Sequence, residues 1–331
     1  MERFLSCDWG TSSFRLRLVN QNDASILGEY SSEDGVQTIN ASYLQDAPTL
    51  DRSNYFYRFL EKGIKGFSKQ LNFNLEGLLV VCSGMASSSI GLMELPYSNL
   101  PFDVGGKSMN LHFFKADASF KHPVLLLSGV QADEDVMRGE ETQLIGVIRQ
   151  LKDFKGSGIF IFPGTHSKHL FVANQKIMDF RTFMTGEAFH LMSFSSILSK
   201  SVSKNSSRTP EMEKAFEKGV LDGGSGNLLA ALFKVRTKEL FGKYNKFENY
   251  HYLSGLLIGN ELGILGDEIR RPVYLCSDSK LHWSYSKAME VMGIPSTVLS
   301  PEMVEKAVVY GQIEILNQIG KHEKNIFLGS F

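Results

Sequence analysis

Short apolar runs alternate along this chain with turns rich in glycine and hydroxyls. After the turn Gly10-Thr11-Ser12-Ser13, the apolar Phe14, Leu16 and Leu18 alternate with Arg15 and Arg17. With the apolar run before Asp8, this predicts a β-hairpin whose tip is all small donors. A third strand is expected over residues 25–30 and a helix from Ser53-Asn54 toward Leu71. The continuous apolar runs at 77–82 and 124–127 read as buried strands, and residues 86–107, with Pro96, Pro101 and Gly105-Gly106, as loop. Leu144, Val147, Ile148 and Leu151 keep helical spacing, which puts Asp133, Glu134, Asp135, Glu140 and Glu141 in the first turn of a helix after a strand.

The second half repeats the opening layout. Residues 158–162 form a strand, Pro163-Gly164-Thr165-His166-Ser167-Lys168 a tip, and residues 170–172 a returning strand. Two hairpins of one design, one opening each half, predict two related domains that grip a polyphosphate. Further on, Met184-Thr185-Gly186-Glu187 opens a helix, residues 193–209 read as a mobile surface excursion, and helices follow at 227–240 and 252–265. The latter shows Gly255, Gly259 and Gly263 on one face, a stripe suited to close packing or to a flat ring. A strand and tip at 272–278, a helix from Ser279 toward Met292 and a terminal helix at 302–319 complete the pattern.

Composition narrows the partners. The 331 residues, 43% hydrophobic and 21% charged, suffice for two cores. A net charge of -1 gives no electrostatic case for nucleic acid and leaves small molecules or proteins. Cys7, Cys82 and Cys276 each end an apolar run without metal-like pairing, as buried thiols do in a reducing cytosol. No apolar run approaches the roughly 20 residues of a membrane span and no signal peptide precedes Asp8, so no membrane association and a cytoplasmic location are expected.

The candidate chemistry sits at the tips and among the acids. Gly10 lets a ligand approach the backbone, Thr11, Ser12 and Ser13 offer donors to a phosphate, and Asp8 can hold Mg²⁺; an ordinary polar turn is the alternative reading. The acids around Asp135 and Glu140 either complement a helix dipole or supply a general base where open α/β sheets place catalysis. Arg138 either binds a substrate carboxylate through two parallel bonds or forms a salt bridge to Glu140 or Glu141.

DWGTSSFR, GM followed by ELPY, DVMRGEETQLIG, PGTHSK, FRTFMTGE, LFKVR and YLSGLLIGNELG follow one another in that order. Their series resembles the 2-keto-3-deoxygalactonate kinase (2-dehydro-3-deoxygalactonokinase) family, within the actin, hexokinase and sugar-kinase ATPase superfamily. The resemblance implies an α/β fold of two ribonuclease-H-like domains, 1–150 and 151–331, with mixed sheets flanked by helices, a cleft between them and the terminal helix returning to the first. It implies transfer of the ATP γ-phosphate, with Mg²⁺, to the 6-hydroxyl of a 2-keto-3-deoxy sugar acid. The partners are then ATP and a sugar acid, with a homodimer left open. Carried over residue by residue, Asp8 to Ser12 (Gly10, Thr11, Ser12) resembles the first phosphate loop and Asp8 the Mg²⁺ holder. Gly164, Thr165, His166, Ser167 and Lys168 resemble the second loop, and Gly255 and Ser277 the adenosine segment. Arg15, Gly35, Gly84, Met85, Arg138 and Glu141 fall on the substrate side.

Related sugar kinases accept the hydroxyl proton on an Asp that starts a helix before the second loop. Glu140 matches that register and Asp135 that residue type, with Glu141 a third choice. Where the family carries Gly and Trp after Gly-Met, this chain has Ser87 and Leu92, and His169 replaces an aromatic. Loss of the large ring predicts a wider sugar pocket. Another keto-deoxy sugar acid as substrate, or an actin-like ATPase without a sugar acceptor, are the alternatives. A sugar-sensing repressor on this fold would need a DNA-binding segment, and none precedes Asp8.

Overall fold

The computed structural model describes residues 2–46, 50–205, 208–266 and 270–322. The chain divides into two units. Unit 1 is Met1–Lys155 with Gln175–Asp179 and the chain from Glu305 on, and unit 2 is Gly156–Asn174 with Phe180–Val304.

Unit 1 runs through β1 (Arg3–Trp9), β2 (Phe14–Asn20), β3 (Ile26–Ser32), α1 (Val36–Asp46), α2 (Arg52–Leu71) and β4 (Val80–Gly84). It continues with β5 (Ser98–Asn99), β6 (Phe102–Asp103), β7 (Leu111–Phe114), β8 (Val124–Leu127), β9 (Val130–Gln131), β10 (Val136–Met137) and α3 (Glu140–Gln150). Its main sheet has the order β3-β2-β1-β4-β8-β7. β1, β2 and β3 pair antiparallel, whereas β1, β4 and β8 pair parallel. The central parallel strands β4 and β8 are buried along their whole length because both faces are covered. On one face lie Val36 and Ile39 of α1 and Phe56, Leu60, Ile64 and Phe67 of α2, packed with Trp9, Phe14 and Leu16.

Unit 2 contains β11 (Gly158–Phe162), β12 (Ser167–Ala173), the second half of β13 (Lys176–Phe183), α4 (Thr185–Phe194), α5 (Pro210–Gly224), α6 (Leu228–Leu240) and α7 (Lys246–Gly263). It ends with β14 (Val273–Leu275), α8 (His282–Val291), β15 (Ser296–Val298) and the first turn of α9 (Pro301–His322). Its strands order as β13-β12-β11-β14-β15, with β11 and β12 antiparallel and β11, β14 and β15 parallel. Each unit thus places an antiparallel three-strand meander beside two parallel strands, with its first strand at the centre. The two related sheets match the repeat of the hairpins, and the arrangement is the mixed-sheet ribonuclease-H-like one that the family resemblance implies.

From Glu305 on, α9 belongs to unit 1 and covers the other face of its sheet. A Cβ on Gly146 would lie 1.7 Å from the Ala307 carbonyl oxygen, and one on Gly311 2.0 Å from that of Thr142, so α3 and α9 touch backbone to backbone. Gln312, fully buried, donates from Nε2 to the Cys7 carbonyl at 3.1 Å and to Ser83 Oγ at 3.0 Å, tying α9 to the ends of β1 and β4.

Several expectations shift. The buried strand expected at 77–82 is β4, Val80–Gly84, and α2 is capped by Asp51, whose carboxylate accepts the Asn54 N–H at 3.1 Å. The acids 133–135 are not in a helical turn: β9 and β10 pair antiparallel there, and Gly139, at φ +116°, starts α3 at Glu140. The excursion at 193–209 is packed, with Leu198, Ser201 and Val202 buried; residues 206–207 of that stretch lie outside the described residues. Among the described residues all three cysteines are free and buried, and no helix is long and apolar enough to cross a membrane.

Candidate active site

In unit 1 the site is built at the C-terminal ends of β1 and β4. The tip between β1 and β2 closes with the Gly10 N–H donating to the Ser13 carbonyl at 2.9 Å, which leaves Thr11 and Ser12 exposed. The Gly10 and Thr11 carbonyls accept the Val36 and Gln37 N–H groups, so the tip caps α1 and is held from behind. Gly35 is buried in this contact, where a Cβ would lie 2.3 Å from the Thr11 carbonyl oxygen. Gly35 thus supports the tip.

Trp9 registers with Gly84 across the parallel β1–β4 pair. Gly84 has φ +89°, and a Cβ there would lie 2.7 Å from the Trp9 carbonyl oxygen and 3.6 Å from Asp8 Oδ1. Only glycine fits that conformation and space. Gly139 in turn would bring a Cβ within 3.5 Å of the Gly84 Cα. Asp8, Gly84 and the start of α3 therefore converge. Gly84 is buried and forms the floor of this junction, while Met85 beside it is partly exposed.

The electrostatics agree with the convergence. Burial pushes the Asp8 carboxyl up, Arg15 and Arg17 pull it down, and Glu140 and Glu29 add to the rise. Glu140, at the first helical position, accepts the Arg138 N–H at 3.1 Å. Glu141 is fully buried and folds back onto the Gly139 N–H, at 2.9 and 2.8 Å, and accepts the Thr142 hydroxyl at 3.1 Å. Burial first, then the Glu140 charge, raise its carboxyl to about 7. Glu141 thus acts as an internal cap of the α3 start. Asp135 sits in the β9–β10 turn and accepts the Val136 N–H at 2.7 Å, away from any helix start.

The Arg138 guanidinium is held by neighbours within unit 1. Nη1 donates to Ser87 Oγ at 2.7 Å, Nη2 reaches the Leu95 carbonyl at 3.4 Å, and the guanidinium lies 4.1 Å from the Tyr97 ring centroid. Ser87, where the family carries glycine, thus positions this arginine. Leu92 is 3% exposed within the unit 1 core, so the replaced tryptophan position widens no pocket. Arg15 packs beside Glu29, with Nε 3.7 Å from Oε1.

In unit 2 the second tip exposes Thr165 and His166 beside the partly exposed Gly164. A Cβ on Gly186 would lie 2.5 Å from the Gly164 carbonyl oxygen, and the Glu187 N–H donates to the Thr165 carbonyl at 3.0 Å, so the start of α4 backs the tip. His166 Nε2 meets Glu187 Oε2 at 2.5 Å. Beside the tip opens a cavity of about 340 Å³, within the range of small-molecule sites, lined among others by Gly164, Thr185, Gly186, Ser254, Trp283 and Tyr285. Lys204, Arg208 and Lys280 supply its cations, and Arg208 stands 3.7 Å from the Trp283 ring centroid.

Four residues expected at the nucleotide are engaged within unit 2. Ser167 is fully buried and donates to Glu261, and Lys168 is 5% exposed on β12. Ser277 is fully buried with its hydroxyl on the Asp278 carbonyl at 3.0 Å. Gly255 packs on α5, where a Cβ would lie 2.2 Å from the Phe216 carbonyl oxygen, so the glycine stripe serves close packing. The cavity wall lies one residue away at Ser254 and a few residues on at Lys280–Tyr285, positions that carried no Gly-hydroxyl signature in the sequence.

The comparisons agree with this geometry. The chain is similar to the 2-dehydro-3-deoxygalactonokinase of Escherichia coli (strain K12), 27% identical over 317 residues that cover 92% of this chain and 95% of that relative. It is 30% identical over 302 residues to a Rhizobium meliloti (strain 1021) protein assigned the same name, covering 88% of this chain and 90% of the relative. A crystal structure of a Sinorhizobium meliloti protein assigned as a 2-dehydro-3-deoxygalactonokinase superposes with a TM-score of 0.78 at 27% identity, over 98% of this chain and 99% of that one. The family profile described as 2-keto-3-deoxy-galactonokinase matches residues 8–315, from Asp8 at the first tip to Ile315 on α9, and the chain belongs to that family.

Proposed function

We propose that the protein transfers the γ-phosphate of ATP to the 6-hydroxyl of 2-keto-3-deoxygalactonate. The observation that carries this is the junction of Asp8, Gly84 and the Glu140 turn, which joins a phosphate-loop acid to a helix-start carboxylate in a chain of this kinase family. Glu140 is the base in preference to Asp135, because it stands at the helix start and shares its field with Asp8. The hydroxyl proton passes to the Glu140 carboxylate as the new O–P bond forms and the bond to the β-phosphate oxygen breaks, releasing ADP. Such a transfer depends mostly on alignment and charge neutralisation.

Unit 2 holds the nucleotide in this reading. The purine and ribose occupy the cavity beside Arg208 and Trp283, and the phosphates reach the donors of Gly164, Thr165 and His166. Glu187 orients the His166 ring toward that anion. In unit 1, Thr11 and Ser12 are the donors the first tip offers to a phosphate, and Arg138 binds the sugar acid's carboxylate. Among the described residues no three metal-ligating side chains gather into a cage. That fits Mg²⁺, which takes one or two carboxylates together with substrate phosphates and water. Asp8 is the carboxylate that would hold it, and the ion's chemistry when bound is neutralisation of phosphate charge. Three buried free thiols support a reducing, cytoplasmic setting.

Ser87 favours a second reading, a different keto-deoxy sugar acid, because its hydroxyl takes one edge of Arg138 that a glycine would leave to the ligand. One assay separates these: ADP release from ATP and Mg²⁺ over a panel of keto-deoxy sugar acids, with wild type, Glu140→Gln, Asp135→Asn and Asp8→Asn. We expect turnover with 2-keto-3-deoxygalactonate, a loss of roughly 10²-fold or more in Glu140→Gln and Asp8→Asn, and a change of less than about threefold in Asp135→Asn. Equal ADP release with and without every sugar acid would leave only an ATPase.

A further inference from the structure

One carboxylate of unit 2 has no part in the scheme above, yet four side chains are organised around it. Glu261 of α7 is 2% exposed. Its Oε1 accepts from Ser167 Oγ at 2.7 Å and from His169 Nε2 at 2.9 Å, and its Oε2 accepts from Tyr285 Oη at 2.7 Å and from Thr185 Oγ1. The donors come from β12, from the start of α4 and from α8. They also sort by destination. The pair on Oε1 belongs to the strand that leaves the second tip, and the pair on Oε2 lines the cavity.

A carboxylate offers about four lone-pair sites, and here a donor points at each. A glutamine in its place accepts on one oxygen only and turns an NH₂ toward two donors. Aspartate falls short by one methylene. A buried polar network satisfied in full fixes one arrangement of the elements it joins, whereas a half-satisfied one does not. The tip's contacts to Gly186 and Glu187 are made to the same α4 turn that Thr185 fixes.

We propose that Glu261 is the positioning residue of the nucleotide site, fixing the Gly164–His166 tip and the Thr185 and Tyr285 walls in one arrangement before ATP arrives. The inference rests on the reading of unit 2 as the nucleotide-holding half. It gives His169 a reason: in place of an aromatic it keeps a ring, 4.5 Å from that of Phe183, and adds the donor that Glu261 requires. It also gives Ser167 a task that needs no contact with phosphate.

The test compares wild type, Glu261→Gln and Ser167→Ala by calorimetric titration with ADP and by steady-state kinetics with ATP and the sugar acid. In Glu261→Gln the Kd for ADP and the KM for ATP should rise about tenfold or more, with the KM for the sugar acid within about twofold. Ser167→Ala, which removes one donor and is buried away from any ligand, should raise both nucleotide constants about threefold. This second variant decides the matter if Glu261→Gln does not fold. Lower melting temperatures in both variants with nucleotide constants within about twofold of wild type would overturn the inference, leaving Glu261 as fold support only. If wild type binds ADP but phosphorylates no sugar acid, the kinase reading fails, and the calorimetric arm still decides the role of Glu261.

Discussion

Glu141 offers a quantitative test of the unit 1 geometry. Its carboxyl is raised to about 7 by burial and by the Glu140 charge, against an ordinary value of 4.5. The folded chain therefore keeps the proton that the unfolded chain releases between those two values, and stability falls as pH rises through that window. With one pKa unit worth 1.36 kcal/mol, the penalty from this group is about 0.8 kcal/mol at pH 5 and about 3.3 kcal/mol at pH 8, a difference of about 2.5 kcal/mol. Glu141→Gln cannot ionise and loses that slope. It keeps one acceptor for the Gly139 N–H, so its fixed cost is about 1 kcal/mol at every pH. Relative to wild type the variant should be close to neutral or slightly destabilised at pH 5 and more stable at pH 8. Urea unfolding at both pH values, followed by Trp9 fluorescence in a Trp283→Phe background, reads unit 1 alone. Parallel pH dependence in variant and parent would refute the placement of an ionisable, buried carboxyl under the α3 turn. Adding Glu140→Gln to the parent should reduce the slope, because it removes the second cause of the rise.

Two further outcomes follow from the contacts. Arg138→Lys keeps the charge but cannot span Ser87, the Leu95 carbonyl and the Tyr97 ring together, so the KM for the sugar acid should rise about tenfold while the KM for ATP holds. Equal rises in both constants would take Arg138 out of the acceptor site. ATP or ADP entering the 340 Å³ cavity displaces water from the Trp283 ring, so Trp283 emission should change on titration in a Trp9→Phe chain. A flat titration in a chain that binds ADP calorimetrically would move the purine out of that cavity.

The sequence made the strands and the two tips legible because each is encoded locally. Residues 124–127 and 158–162 are apolar throughout, and the tips follow as glycine and hydroxyl runs. The helix α1 was illegible for the opposite reason. Val36, Ile39 and Tyr43 keep helical spacing, but the N-terminal N–H groups are capped by the Gly10 and Thr11 carbonyls, a tertiary partner that no local motif announces. The start of α5 did carry a signal, Thr209 before Pro210, which the Ser- and Lys-rich stretch ahead of it obscured. Among candidate site residues, Asp8 and Glu140 stand out in the sequence by motif and register. Glu261 does not, because a glutamate inside an apolar helix declares its function only when Ser167, His169, Thr185 and Tyr285 are brought to it.

The two units share a topology and use its strategic corner differently. In each, the first two strands make a hairpin whose tip is backed by a helix N-terminus: α1 behind Gly10 and Thr11, and α4 behind Gly164 and Thr165. In unit 1 the chain leaves an acid, Asp8, half-buried at that corner and sets a second acid, Glu140, near it, an arrangement in which like charges raise each other's cost unless a cation or a proton is supplied. In unit 2 the buried acid beside the strand that leaves the second tip, Glu261 of α7, is instead saturated with donors that hold the wall. In the proposed scheme an acidic corner where Asp8 and Glu140 share a field suits the gathering of Mg²⁺ and a proton, and a carboxylate saturated with donors suits a fixed shape. The two halves thus differ in how their acids are partnered, a difference that the shared strand order alone does not determine.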